Sequence, residues 1–387
     1  MYCIVGLQLM NNMNIHFISG INKVNPTQWQ TLSESTCPFE QYNFLRNLEN
    51  SQSVNAKQGW QPHHLVISNQ DNVLAIMPMY IKSHSWGEYV FDWAWAEAYQ
   101  EHNIDYYPKL VATCPFTPVN SKKLLSKELE ITRLFNSLTE QCLQTNLNSW
   151  HILYTEKIAH PLPNNIYERN TVQFQWFNRN YESFKDFIST FTSRKRKNTL
   201  NERKSIKQQG LTIRQLTGND ITSDDLAFFY LTYQLTYFKK GHQPHLSYAF
   251  FQQCLENMAN NMLLIIANNG EEDIASALFF YDDNQLYGRY WGCTKSYKNL
   301  HFELCYYRGI EFCIKNNIMR FNSGTQGEHK IKRGFEPVLT YSYHWIKHAH
   351  FRNAIYNFCK QEQQHMLMYQ QRCSTLLPFK VKNNKTL

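Results

Sequence analysis

The chain has 387 residues, of which 43% are hydrophobic and 18% charged, and a formal net charge of +8. This balance excludes a disordered chain, and the length favours two domains over a single core. The longest clean apolar runs, "MLLIIA" and "ALFFY", are strand-sized, so a membrane span is not expected.

The opening "MYCIVGLQLMNNMNIHF" is mildly apolar, with no basic start and no small-residue cleavage site. It is read as a cytosolic leader or a start-codon artefact, with Met10 and Met13 as alternative starts. Ten cysteines without a CxxC pair suggest reduced thiols and a cytoplasmic protein.

In the first half, "LVIS", the turn "NQDN", "VLAIMPMYIK" and the aromatic "EYVFDWAW" read as strand, hairpin turn, strand, turn and strand. The stretch from His84 to Lys109 groups His84, Glu88, Asp92, Trp93, Trp95, Tyr99 and Lys109. Carboxylates mixed with aromatics suit a pocket for an amine or a sugar-peptide, although aromatic core with a charged rim is the plainer alternative. A Pro/Asn-rich turn, "AHPLPNN" at residues 159–165, marks the expected joint between domains.

Much of the positive excess lies in "SRKRKNTLNERKSIKQQG", residues 193–210, which reads as a basic helix; the remainder is nearly balanced. Excess positive charge favours an anionic partner, and arginine-rich helices bind nucleic acid. Here the cations form no narrow stripe and no aromatics are interleaved, so a solvated face is the plain reading. Helices follow over "DITSDDLAFFYLTYQLTYFKKG", with Asp and Ser as capping candidates, and over "SYAFFQQCLENMANN", capped by Ser247. Then "LLIIA", "NNGEED", "IASALFFYDD" and "QLYGRYWGC" echo the first-half pattern at an offset near 200 residues. That distance indicates a duplicated domain rather than a solenoid repeat.

In "LYGRYWG", Tyr287, Arg289 and Trp291 fall on one side and Gly288 interrupts the pleat, which admits a close ligand. Arg289 beside aromatics suits a phosphate or carboxylate, or else simple packing over the sheet. "HFELCYYRGIEFCIKNN" has helical spacing, with Phe302, Cys305, Tyr306, Ile310 and Cys313 on one face. Between the strand-like "IMRFN" and "LTYSYHWI" lies "SGTQGEHKIKRGFEPV", crowded with ionisable groups. Glu328 and Lys332 stand four apart and share a face in an extended chain or a helical turn. Glu328 or His329 then offers a base and Lys332 a cation for an oxyanion or a phosphate, unless the loop is a solvated ion pair. His301 with Cys305, and His344 with His348, give no third ligand at standard spacing, so no metal site is assigned. The chain ends in helices through "FRNAIYNFCKQEQQHMLMYQQRC".

The order "SRKRKNTLNERKSIKQQGL", "YGRYWGCTKSYKNLHFELCYYRGIEFCIKNN", "NSGTQGEHKIKRGFEP", together with "GWQPHHLVI", "YIKSHSWGEYVFDWAWAEAY", "YYPKL" and "PFTPV", resembles the FemAB-like predicted N-acyltransferases. These lie within the Gcn5-related N-acetyltransferase (GNAT) superfamily. The resemblance covers about residues 38–379. "IKRGFE" keeps Lys332 and Phe335 of the Fem-type Phe-Lys-x-x-Phe-Gly pattern, while "GCTKSYKNLH" holds one glycine where coenzyme A enzymes carry a glycine-rich turn.

What the resemblance implies is an α/β (α+β) fold of tandem GNAT-like domains, each a mixed, mostly antiparallel sheet flanked by helices. Residues 14–165 would form the acceptor-side domain and 166–379 the domain with the active-site loop. The implied reaction is direct attack by an amine, small-molecule or peptide, on an acyl-CoA thioester or an aminoacyl-tRNA ester, in a peptidoglycan-related role. No tightly bound cofactor is needed. Lys332, Glu328 and His329 become the catalytic candidates. Arg289, Tyr290, Trp291, Asp92, Trp95, Lys109, Arg194, Lys197 and Glu303 become the substrate-binding ones. Two rivals remain: a binding protein that keeps the fold without turnover, and an RNA-binding factor using the basic helix.

Overall fold

A computed structural model describes residues 13–380 except 34, 71, 160 and 326. Residues 1–12 of the leader, with the alternative start at Met10, lie outside them, whereas Met13 is described and the end of the leader forms the start of β1. The strands are β1 (Asn14–Ile18), β2 (Trp60–Pro62), β3 (His64–Asn69), β4 (Asn72–Met77), β5 (Met79–Lys82), β6 (Lys109–Ala112), β7 (Leu125–Ser126) and β8 (Ser149–Thr155), then β9 (Tyr167–Phe177), β10 (Thr212–Thr217), β11 (Met262–Asn268), β12 (Asp273–Tyr281), β13 (Gln285–Cys293), β14 (Arg320–Asn322) and β15 (Glu336–Ile346). The chain forms two α/β units with helices packed on mostly antiparallel sheets. Unit 1 runs to Thr171 and includes Thr340–Met366; unit 2 comprises Val172–Leu339 and the chain from Leu367. The chain passes between units inside β9, β15 and the helix Ala349–Thr375. Among the described residues no helix is long and apolar enough to cross a membrane.

In unit 1, β1, β3, β4 and β7 form one antiparallel sheet. A second set runs β2, β5, β6, β8 and the end of β15, antiparallel throughout except for β6 beside β8. Leu65, Ile67, Met77, Leu110, Trp150 and Ile152 from the strands pack on Leu138 and Cys142 of the helix Phe135–Gln144. The segment "EYVFDWAW" is not the third strand that its aromatic alternation suggests. From Trp93 to Glu101 it is a helix, with Trp95 and Tyr99 buried four residues apart against Phe351 and Ile355. Alanines at alternate positions favour a helix there, and the buried i, i+4 pair fixes its face.

In unit 2, β10, β11, β12 and β13 are antiparallel, β14 joins β13 in parallel, and the end of β9 closes the order. The expected hairpins over "LLIIA", "IASALFFYDD" and "QLYGRYWGC" are present as β11, β12 and β13. Buried Leu263, Ile265 and Ala267 on β11 alternate toward a core that includes Leu304, Ile310, Cys313, Ile331 and Phe335. The helix Ser223–Phe238 is capped by Thr222 in a reciprocal box with Asp225, rather than by an Asp or Ser. Ser247 caps the helix Tyr248–Met258 as expected.

The helix Ser223–Phe238 lies directly on β13, where Gly292 leaves room for it: a Cβ there would sit 1.9 Å from the Thr232 carbonyl oxygen. Gly292→Ala should therefore force backbone movement and cost about 3 kcal/mol in urea unfolding. A loss within error of zero would show that helix and strand separate freely.

Candidate functional site

In unit 2, β13 and β14 run parallel over three pairs only, ending at Tyr287 beside Asn322. β14 then stops while β13 continues to Cys293, so the strands part. The register of β12 against β13 skips one residue, pairing Leu278 with Tyr290 and Phe279 with Gly288, which leaves Arg289 as a bulge. A bulge re-aims side chains and twists the strand, and ligands of such sheets gather beyond the carboxyl ends of parallel strands. The bulge also undoes the expected common face of Tyr287, Arg289 and Trp291. Arg289 is half-buried with its guanidinium 5.4 Å from the Tyr290 ring centre. Tyr290 packs on Tyr233 and Phe251, and Trp291 meets the His301 ring at 5.3 Å.

The ionisable loop folds back as a 3-10 turn, Glu328–Arg333. With three residues per turn, Lys330 and Arg333 eclipse each other, whereas Glu328 and Lys332 face different ways. The expectation that Glu328 and Lys332 share one face therefore fails. Lys332 is exposed; the inward lysine is Lys330, 2% exposed. Its Nζ donates to the Ser323 and Gly324 carbonyls, each at 2.9 Å. Burial pushes the Lys330 amine down to about 7. Glu328 is exposed and accepts a hydrogen bond from Tyr369 at 2.8 Å. His329 is half-buried, 2.8 Å from the Tyr306 hydroxyl, and burial followed by Arg333 and Lys330 lowers its pKa. The neighbouring His301 is pushed down to about 4, chiefly by burial.

Arg333 lies flat on Phe302, 3.4 Å from the ring centre, and donates to Glu202 at 2.7 Å and to the His329 carbonyl at 2.8 Å. Ile331 and Phe335 enter the core, so the loop is anchored at three points. Glu303 is buried in a π turn, Glu303–Tyr307, and accepts both Nε and Nη2 of Arg203 as well as Arg308. Its carboxylate is occupied by these guanidiniums, which sets it apart from the expected substrate contacts. Arg194 and Lys197 are exposed on the helix Ser193–Gln208.

Unit 1 brings together the other expected residues. Lys109, 0% exposed on β6, donates to Ser85 (2.7 Å), Glu88 (2.8 Å) and Asp92 (2.5 Å). Burial alone would depress its pKa, but the two carboxylates raise it. Burial likewise works against an ionised Asp92, yet Lys109 and then His151 hold that carboxyl well below its usual range. Glu88 goes the other way, pushed up to about 7 by burial. Lys82, with its Nζ 3.5 Å from the Trp60 ring centre, is pushed down to about 7 by burial. Trp95 lies under the Arg169 guanidinium, 5.1 Å away, and edge-on to His344 at 5.2 Å. His344 pairs with His151 across β15 and β8, Nδ1 to Nδ1 at 2.7 Å. Their other nitrogens meet Ser342 at 2.9 Å and Ser149 at 2.7 Å. His344 thus finds its partner across the sheet rather than at His348.

Sequence reasoning missed Lys330, Lys82 and this histidine pair. The glycines on either side of Lys330 signalled a folded-back loop, but nothing local joins His151 to a residue 193 positions away.

Lys109→Met leaves Glu88 and Asp92 buried without their cation and should cost about 3 to 5 kcal/mol in urea unfolding. A loss below about 1 kcal/mol would show that water reaches these carboxylates. The folded Lys330 pKa lies below the ordinary 10.5, so the unfolded chain holds the extra proton between those values. Wild-type stability relative to Lys330→Met should therefore rise with pH, by about 2.5 kcal/mol from about pH 6.5 to 9. A flat difference across that range would contradict a desolvated amine.

The family model FemAB_like, described as peptidoglycan biosynthesis/recognition, matches residues 20–381. No curated protein matches the chain. Among solved structures, the C-terminal domain of a lysylphosphatidylglycerol synthetase candidate from Agrobacterium fabrum is 8% identical, covering 87% of this chain and 95% of that one with a TM-score of 0.52. FemX is 8% identical, covering 87% and 98% with a TM-score of 0.48. A conserved protein of unknown function from Bacteroides thetaiotaomicron VPI-5482 is 10% identical, covering 86% and 100% with a TM-score of 0.49. At these identities the likeness is one of fold. The family match spans nearly the whole length, including the folded-back loop, the bulged strand and the buried ion cluster: the chain belongs to the FemAB-like family.

Proposed function

We propose that this protein is an N-acyltransferase that passes an acyl or aminoacyl group from an acyl-CoA thioester or an aminoacyl-tRNA ester to an amine. The observation that carries the reading is the buried Lys330 amine, held at the point where β13 and β14 part. An amine substrate arrives as an ammonium ion and must lose a proton before it can attack. Neutral Lys330 spends two N–H groups on the Ser323 and Gly324 carbonyls and keeps a lone pair for that proton. The amine nitrogen then bonds to the acyl carbon while the carbon–sulfur or carbon–oxygen ester bond breaks. Its second proton leaves with the released thiol or hydroxyl.

Burial keeps His329 and His301 neutral, which suits an imidazole N–H to the oxyanion formed in the attack. Arg289 supplies a cation for a donor phosphate or an acceptor carboxylate. Asp92 and Lys109 satisfy one another within unit 1 and, like Trp95, are buried, so no substrate contact is assigned to them. Exposed Arg194 and Lys197 favour a polyanionic donor and support the tRNA alternative. The family's description supports a peptidoglycan-related acceptor, such as a peptide amine.

The test is transfer from labelled acyl-CoA and from charged tRNA to amino-sugar peptides, followed by mass spectrometry. Lys330→Met should lower turnover by about 100-fold or more, while exposed Lys332→Ala stays near wild type. Full activity in Lys330→Met would remove the lysine from the mechanism. An absence of transfer from either donor class would favour a binding protein.

A further inference from the structure

One helix of unit 2 is apolar on two opposite faces. The helix Ser223–Phe238 turns Leu226, Phe229 and Tyr233 inward, where Phe229 meets the Phe251 ring at 5.0 Å and Tyr233 meets Tyr290 at 5.1 Å. On the same side Thr232 bonds to the Ser276 hydroxyl at 2.6 Å and Thr236 to the Trp291 carbonyl at 2.8 Å. A helix packed on a sheet ordinarily carries polar residues on its other side. Here the other side runs Phe228, Leu231, Leu235 and Phe238, bordered by Ala227 and Gln234. Leu231 and Phe238 are each 48% exposed, and Phe228 and Leu235 are half-buried.

These four stand three, four and three residues apart, and at about 100° per residue they form one narrow stripe. That is the repeat with which one helix seats its side chains between those of another. Single exposed apolar residues need no partner, but a continuous row of large ones marks an interaction surface.

The order of the row indicates what covers it. Phe-Leu-Leu-Phe reads the same in both directions, with its midpoint at the level of Tyr233. A second copy of the helix, turned end for end, sets Phe228 against Phe238 and Leu231 against Leu235, twice over. The charges at the helix ends suit the same direction. Asp224 is exposed in the first turn, and exposed Lys239 and Lys240 follow the last. Antiparallel packing brings each aspartate close to the lysines of the other copy, whereas parallel packing places like charges together.

We propose that this face joins two copies of the chain about a two-fold axis through the helix pair. Such a contact is isologous, so one self-complementary row is sufficient. A seam of one helix against one helix falls at the low end of interface sizes, below about 1,200 Å² in total. The dimer therefore forms reversibly in the micromolar range rather than as a permanent assembly.

The experiment is sedimentation velocity of the full chain from about 1 to about 200 μM, with neither donor nor acceptor present, so the outcome does not depend on transfer. The weight-average mass should climb from one chain toward two. Leu231→Asp combined with Phe238→Asp alters exposed positions, so the fold should survive while the chain stays monomeric throughout. Asp224→Lys should weaken association at least about tenfold, and adding Lys239→Asp with Lys240→Asp should restore it by returning opposite charges to each end. If the double aspartate variant fails to fold, this charge series carries the test. A wild-type chain that stays monomeric at the highest concentration overturns the proposal. So does association unchanged by Leu231→Asp with Phe238→Asp, or a triple charge variant no tighter than Asp224→Lys. A monomer that pellets with phosphatidylcholine vesicles through Leu231 and Phe238 overturns it as well, and assigns the face to a lipid surface.

Discussion

A lysine ammonium taken fully out of water is tolerated only where counter-charges and hydrogen-bond acceptors replace the lost hydration. Lys109 meets that requirement with three groups on the segment after β5: Ser85, Glu88 and Asp92. One strand residue thereby ties the ten-residue stretch between β5 and the helix Trp93–Glu101 to the sheet. Trp95 and Tyr99 on that helix then have a defined position against Phe351 and Ile355. The arrangement of unit 1 on this side follows from a single buried cation.

Unit 2 solves the same problem differently. Lys330 is buried against the Ser323 and Gly324 carbonyl oxygens rather than against carboxylates, and burial accordingly brings its amine down to about 7. The guanidiniums nearby are satisfied elsewhere, Arg203 by Glu303 and Glu311, Arg333 by Glu202 and the Phe302 ring. Ion pairs hold this framework, and Lys330 stands apart from them where the strands part. That separation of roles is what a proton-transferring site requires, because a group already locked in an ion pair has little freedom to change its charge.

Much of this was legible in the sequence. Strand-sized apolar runs around the turn "NNGEED" marked β11, β12 and β13, and Ser247 marked a helix start. The glycine-flanked, charge-dense segment 323–338 marked the folded-back loop, and its motif carried the family. What escaped has physical causes. The difference between Lys330 and Lys332 depends on a 3-10 rather than an α or extended turn, and residue spacing alone does not distinguish these. The bulge at Arg289 depends on how β12 and β13 pair. Glu303 looks like any helical glutamate until Arg203, 100 positions earlier, is folded against it. "EYVFDWAW" has strand-like alternation and helix-like alanines together, and packing on the C-terminal helix decided between them.

The histidine pair in unit 1 has a consequence of its own. Two Nδ1 atoms 2.7 Å apart have room for one hydrogen between them, so one ring donates and the other accepts. With both rings kept neutral by burial, the remaining ring hydrogen must point outward to one serine while the other serine points its own hydrogen inward. The row Ser149–His151–His344–Ser342 is thus a polar arrow with two possible directions. Reversing it requires every hydrogen in the row to shift together, so two strands of the sheet share one binary orientation that leaves the net charge of the core unchanged.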